Sequence, residues 1–356
     1  MTVDASVIAV PLAYTDDPEV VHQYAKTLLE LKKFWKKAWV KIYMSEFTAE
    51  VLEKEGLYQL RPTLNTLFKR CGITEYTVND VVQVVQFFLS LRPYCEEVFG
   101  VSEVLAEKVT LTPNLSSMVA SKNLASNLER CVILMAILRK YCNPPVTDHW
   151  LVVKKLVPTS PVEEVIVTAL IHDLEPKIQG IPVFPTYLDG SVSVLVGPSF
   201  SDLIKWLDEK TLLNSAAPQG TMERAIEIAI YKLCLKHLSQ KRQIEIDEIE
   251  DEREKFRKFT FGKHFLATVQ ECCRNRSDLA EKLLRAIIET LEKQELQDIH
   301  WLRTGKGGND PQRKRGQDVA WRRDLDNEYH LHYWECEKGS VEFANVVPHN
   351  NFSITE

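Results

Sequence analysis

Between Tyr329 and Trp334 the side chains alternate strictly, so an extended strand puts Tyr329, Leu331 and Tyr333 on one face and His330, His332 and Trp334 on the other. Such a strand needs neighbours and a backing layer. Asp318–Arg323 before it and Ser340–Val347 after it read as two short partners, the second reached through the Lys338-Gly339 turn. Upstream, residues 256–272 and 277–293 read as helices, the second capped by Ser277 or Asp278. Leu279, Leu283, Ile287 and Leu291 recur about once per turn and form an apolar stripe. The spacing predicts a small antiparallel meander that buries one face on two helices and leaves the other free to bind.

The rest of the chain reads as ordinary helix and strand. Residues 5–13 are a short buried strand or an apolar lead into a helix that starts after Asp17. In LKKFWKKAWVK, Phe34, Trp35 and Trp39 fall near one face and the lysines near the other, the pattern of a core helix with a solvated side. Helices are expected through residues 46–142, introduced by Thr48, Thr63 and Asn79 and stopped by Gly72 and Gly100. Asn143-Pro144-Pro145 breaks that periodicity, after which HWLVVKKLV, EEVIVTALIHDL and GSVSVLVG read as strands, and Tyr187-Leu188-Asp189-Gly190 as a hairpin-type turn. A helix follows, capped by Ser199 or Ser201. The expected fold class is α+β: a mostly helical N-terminal domain with a small sheet over 1–215 (helical 17–142, strands 150–197), a helical linker over 216–250 whose charged run 245–258 is a solvated face, and the two-helix meander over 251–356.

Composition narrows the function classes. With 45% hydrophobic and 26% charged residues the 356-residue chain is globular and long enough for two cores. A net charge of −6 leaves nucleic-acid binding to a local basic patch. The eight cysteines show no CxxC pair and read as idle thiols of a reducing compartment. The opening residues lack a basic leader and no apolar run nears the roughly 18–20 residues of a membrane helix, so a soluble, cytoplasmic protein with no membrane partner is expected. Phosphate-loop, dinucleotide-loop, GxSxG and HExxH patterns do not occur. His172-Asp173 is similar to the dipeptide of metal phosphohydrolases, with His149 and Asp189 as partners, but it ends an expected strand rather than sitting on a helix.

The basic patch lies next to the meander. From 299 to 323 there are seven cations (Arg303, Lys306, Arg313, Lys314, Arg315, Arg322, Arg323) and two acids (Asp310, Asp318), a local charge of 7 − 2 = +5. The glycine-rich loop 304–317 is expected to be mobile and to grip a phosphodiester backbone. Imidazoles titrate near neutrality, so His332 and His349 could serve as base and acid in attack of a ribose 2′-hydroxyl on its own phosphate, with His330 and Tyr333 as further candidates. Guanidinium groups supply phosphate contacts, and the chemistry expects no metal and no cofactor.

The order of helix, helix, basic loop and strands through WRRD, EYHLHYW and GSVEFANVVPHNNFSI resembles the RelE/ParE/HigB superfamily of bacterial toxins. The resemblance implies a RelE-like domain and an endoribonuclease acting on mRNA, free or ribosome-bound. Arg322 or Arg323 matches the family's central-strand phosphate-binding arginine, EYHLHYW its next strand, and His349 its terminal catalytic position. His330 stands where the family usually has arginine, and Asn350-Asn351-Phe352 replaces a usual tyrosine. The match covers about 100 of 356 residues. The remaining portion would sense, inhibit or recruit, as in fused toxin or phage-defence proteins, with an antitoxin or a defence-complex subunit as protein partner. The rival expectation is a non-catalytic subunit of such a complex that holds nucleic acid or protein.

Overall fold

The computed structural model describes the chain except for residues 12–16, 38–39, 59–60, 102–104, 116–118, 120, 143–145, 147–148, 155–163, 173–185, 198–199, 208–218, 240–243, 245, 275, 294–297, 306, 308 and 356. Helices and two mixed six-stranded sheets make it an α+β protein. The chain divides into two compact units, Met1–Leu203 and Ile204–Glu356.

In the first unit, strands β1 (Thr2–Val3), β2 (Tyr43–Met44), β3 (Leu105–Thr112), β4 (Leu151–Val153), β5 (Glu164–His172) and β6 (Thr186–Val196) lie in the order β2-β1-β4-β6-β5-β3. The first three ladders are parallel and the last two antiparallel. The helices are α1 (Ala5–Ile8), α2 (Pro18–Trp35), α3 (Glu46–Lys54), α4 (Arg61–Cys71), α5 (Val78–Leu89), α6 (Cys95–Phe99), α7 (Lys122–Tyr141) and α8 (Phe200–Trp206), the last running across the unit boundary. The core joins α7, from Leu128 to Leu138, to Val165, Val167, Val192 and Val194 of the sheet.

Several local expectations change here. Residues 105–112 are a strand, not helix. They alternate exposed and half-buried positions on the sheet edge, and a bulge between Glu107 and Thr110 puts Lys108 at φ 53. Ser45, not Thr48, caps α3, because its Oγ accepts from Phe47 N (3.2 Å). Thr77, not Asn79, caps α5. Asp189 and Gly190 are no turn: they pair with Thr168 and Val167 inside β6. Phe34 is buried as the amphipathic pattern requires, while Trp35 is half out and packs edge-on against Phe87 at 4.5 Å; Trp39 lies outside the described residues.

The second unit holds α9 (Gln219–His237), α10 (Ile246–Arg253), α11 (Phe265–Cys273) and α12 (Ser277–Leu291) with β7 (Phe259–Phe261), β8 (Ile299–Trp301), β9 (Lys314–Arg315), β10 (Asp318–Asp324), β11 (Tyr329–Glu335) and β12 (Val341–Pro348). The span read as a linker belongs to this unit. Ile246 and Ile249 of α10 are buried, Arg253 forks onto Glu227 of α9 at 2.6 and 3.0 Å, and Tyr231 donates to Glu250. The meander β12-β11-β10-β8 is antiparallel, and β9 pairs with the start of β10. Residues 256–272 are not one helix. Phe259–Phe261 adds a parallel strand beside β12, and Gly262 follows with its N–H on Phe343 O at 2.8 Å. The backbones come so close there that a Cβ at Gly262 would stand 3.3 Å from Ala344 Cα. The stripe Leu279, Leu283, Ile287 and Leu291 is completely buried.

Candidate functional site

Ladder register decides which side chains share a face. Arg322 pairs with His332 and with His300, Asp324 with His330, and His332 with Asn345. Partners across an antiparallel ladder point the same way, so His300, Arg322, Asp324, His330 and His332 lie on one face, as the alternation requires. His349 joins them from just beyond β12. The His330 ring lies 4.5 Å from His349 and 6.2 Å from His332, centroid to centroid.

This face is not open. His330 and His332 are completely buried, and Trp334 nearly so, because the chain after β12 turns back over them. The turn is built by Asn351, whose N–H donates to Pro348 O (2.9 Å) and whose Oδ1 accepts from the Ser353 N–H and hydroxyl. His332 Nδ1 then meets Ser353 O at 2.9 Å, Asn345 Nδ2 meets the same oxygen at 3.2 Å, and Trp334 Nε1 donates to Thr355 O at 3.1 Å. Phe352 and Ile354 pack on Leu302, Ala320, Trp334 and Ala344. The tail thus covers the imidazoles through carbonyl acceptors and two apolar side chains. The face expected to be free is covered.

A carbonyl oxygen only accepts, so His332 carries its hydrogen on Nδ1 and keeps a lone pair on Nε2, an atom that is buried without a hydrogen-bond partner. Burial pushes its pKa down to about 4, against the opposing bond to Ser353 O, so the ring is neutral at pH 7. His330 sits between two acceptors: Nε2 is 3.2 Å from His349 O, and Nδ1 is 2.8 Å from Asp324 Oδ1 without hydrogen-bond geometry. Its pKa is also lowered, burial outweighing the Asp324 charge. Asp324 also lies 3.8 Å from His300, which is exposed at the rim.

The other expected residues separate. Arg323 is buried on the opposite face, where it donates to Asp298 (2.9 Å), Ala286 O (2.9 Å) and Glu289 and so fastens β10 to α12. Tyr333 points that way too, among Phe343 and its neighbours, and burial raises its pKa. Arg315 is held by Glu342 (2.8 Å) and Asp318 (3.0 Å) over the Trp334 ring. Arg313 donates to Arg303 O and Thr304 O. The loop expected to be mobile is in its described part a hairpin: Thr304 N–H reaches Pro311 O, and Gly307 N–H reaches Asp310 Oδ2. Lys314 pairs with Val319, which sets it on the face opposite the histidines, and Lys306 lies outside the described residues. Arg322 stays with the imidazoles, its Nε buried without a partner and its guanidinium 5.9 Å from the Phe352 ring, and the Arg313 charge also acts on His332.

Sequence reasoning missed a second polar cluster, in the first unit at the carboxyl ends of parallel strands, where α/β sheets commonly place ligands. Asp4 accepts from Ser6 N and from Asn127 Nδ2, each at 2.8 Å. Glu96 accepts from the Ser45 hydroxyl and from Glu46 N at 3.1 Å. Burial raises the pKa of both carboxyls and that of the nearby Cys131 thiol. The legible signal was an Asp directly after Thr2-Val3, together with Asn127 at the start of the apolar run of its helix. His149, weighed above as a metal ligand, is 2.8 Å from Thr2 Oγ1 and stacks on Tyr43; Asp173 lies outside the described residues.

Among the described residues no group of three His, Cys, Asp or Glu is arranged to hold a metal ion, all eight cysteines are free thiols, and no helix is long and apolar enough to cross a membrane. No protein-family model, no curated protein and no solved structure matches the chain.

Proposed function

We propose that the second unit is a RelE-like endoribonuclease that cuts RNA by proton transfer between imidazoles, in a toxin or phage-defence setting, and that the described state is its covered form. The observation that carries the reading is the juxtaposition of His330, His332 and His349 with Arg322 and Asp324 on one sheet face. With the tail lifted, His332 Nε2 is a lone pair placed to take the 2′-hydroxyl proton. His349 returns a proton to the leaving oxygen, and Arg322 faces the phosphate charge. The first unit is the regulatory or partner-binding part.

The test is cleavage of total RNA in EDTA, with and without ribosomes, by the full chain and by the tail-loosened Phe352→Ala/Ile354→Ala double variant. Fragments whose yield rises in the tail variant and vanishes in His332→Ala support the reading. Cleavage that persists in His332→Ala removes the role assigned to that ring.

The complete burial of His330 and His332 favours a second reading, a non-catalytic subunit that binds nucleic acid or protein. Salt-sensitive RNA retention with no fragments from any variant selects it.

A further inference from the structure

The opposite face of the same sheet carries a feature that the imidazole site does not use. Trp301 of β8 is 52% exposed, and β8 is the last strand of its path. Trp301 pairs with Trp321 in register, so the two indoles are side by side on one face. Arg303, two residues on, brings its guanidinium to 5.6 Å from the Trp301 ring centroid. Lys314 pairs with Val319 and so belongs to the same face as Trp321. Among the described residues neither Arg303 nor Lys314 meets a carboxylate, whereas Arg315 and Arg323 are neutralised by theirs. Two cations without a carboxylate partner therefore lie on the face of the exposed indole. The hairpin behind it is fixed, Arg303 donating to Asp310 O and Leu302 anchored in the core.

An exposed indole with cations beside it presents a ring face and positive charge together, the two features that bind a base and its phosphate. The occupant must offer a flat apolar ring and, a few ångströms away, negative charge. A base with its own phosphate offers both, and only an unpaired base presents its ring face. We infer that Trp301, with Arg303 and Lys314, forms a stacking platform for single-stranded nucleic acid. The platform faces away from the imidazoles and does not depend on cleavage.

Fluorescence anisotropy with a labelled 12-nucleotide oligo-uridine and the matching DNA tests it on the full chain; the DNA lacks a 2′-hydroxyl, so failure of the nuclease reading leaves this measurement intact. Stacking contributes on the order of 1–3 kcal/mol per base. Trp301→Ala should therefore weaken binding about tenfold or more with an unchanged salt slope, while Trp301→Phe stays within about threefold. Arg303→Gln should lower the salt slope by about one. Equal losses on RNA and DNA, or a larger one on RNA, both support the platform. Duplex DNA bound more tightly than either single strand, an unchanged affinity in Trp301→Ala, or no binding at micromolar concentrations overturns it. Because the side chain is half out of the fold, a matching melting curve for Trp301→Ala confirms that binding alone is read.

Discussion

Acid should lift the tail, and the size of the effect follows from one ring. His332 titrates near 4 in the folded state against 6.5 for the free side chain. Its folded form therefore binds fewer protons than the unfolded or uncovered form anywhere between those values. Stability is full above pH 6.5, is lost as pH falls through the window, and reaches its floor below about 4. A difference of about 2.5 pH units at 1.36 kcal/mol each amounts to about 3 kcal/mol, most of which falls between pH 7.5 and 4.5. The burial of His330 adds to the loss with the same sign. Urea unfolding of the wild type and of His332→Gln, followed by hydrogen–deuterium exchange of peptides from β11, β12 and the tail, isolates the contribution. The variant should lose about 2–3 kcal/mol less than the wild type on going from pH 7.5 to 4.5. Identical pH dependence in the two proteins would refute the argument that the covered imidazole is held neutral.

Other perturbations follow from the same contacts. Phe352→Ala/Ile354→Ala should speed exchange in the tail and expose Trp334 to acrylamide quenching, at a cost of about 2 kcal/mol for two half-buried side chains. Arg323→Leu should destabilise the second unit by about 3–5 kcal/mol, and Arg323→Lys should not restore it, because one ammonium cannot reach Asp298, Ala286 O and Glu289 together; chemical denaturation measures both. Gly262→Ala should cost about 1–3 kcal/mol, since the added methyl meets Ala344 Cα, Phe343 O and Glu342 at 3.3 Å and two of these are backbone. Asp4→Asn should gain on the wild type as pH rises above 3.8, because the buried carboxyl's raised pKa makes its ionisation costly, and Asn127 Oδ1 has no partner and can accept from the new amide. Parallel melts at pH 4 and 7.5 check that order.

Local pattern set three of the second unit's strands, β10, β11 and β12. The alternation at Tyr329–Trp334 and the stripe on α12 each required an apolar side and a polar side, and both formed. The alternation also placed His330 and His332 together, since period-two geometry needs only the strand to exist. Charge counting went less far. Seven cations in 25 residues looked like one patch, but the register sent Arg322 and Arg323 to opposite faces and matched Arg315 and Arg323 to carboxylates at positions 342, 298 and 289. Composition says nothing about such pairings. The strand at 259–261 was hidden because three residues carry too little periodicity to outweigh a helical flank.

The sequence by itself determined three strands of the meander, the side each residue of β11 takes, and the grouping of His330 with His332, because these depend on backbone period and nearest neighbours. Tertiary structure alone decided whether that face is open. Residues 349–355 look like a polar terminus, and only the carbonyls of Ser353 and Thr355 arriving opposite His332, Asn345 and Trp334 make them a cover. Backbone acceptors are common to every residue, so no side-chain pattern announces where they will dock.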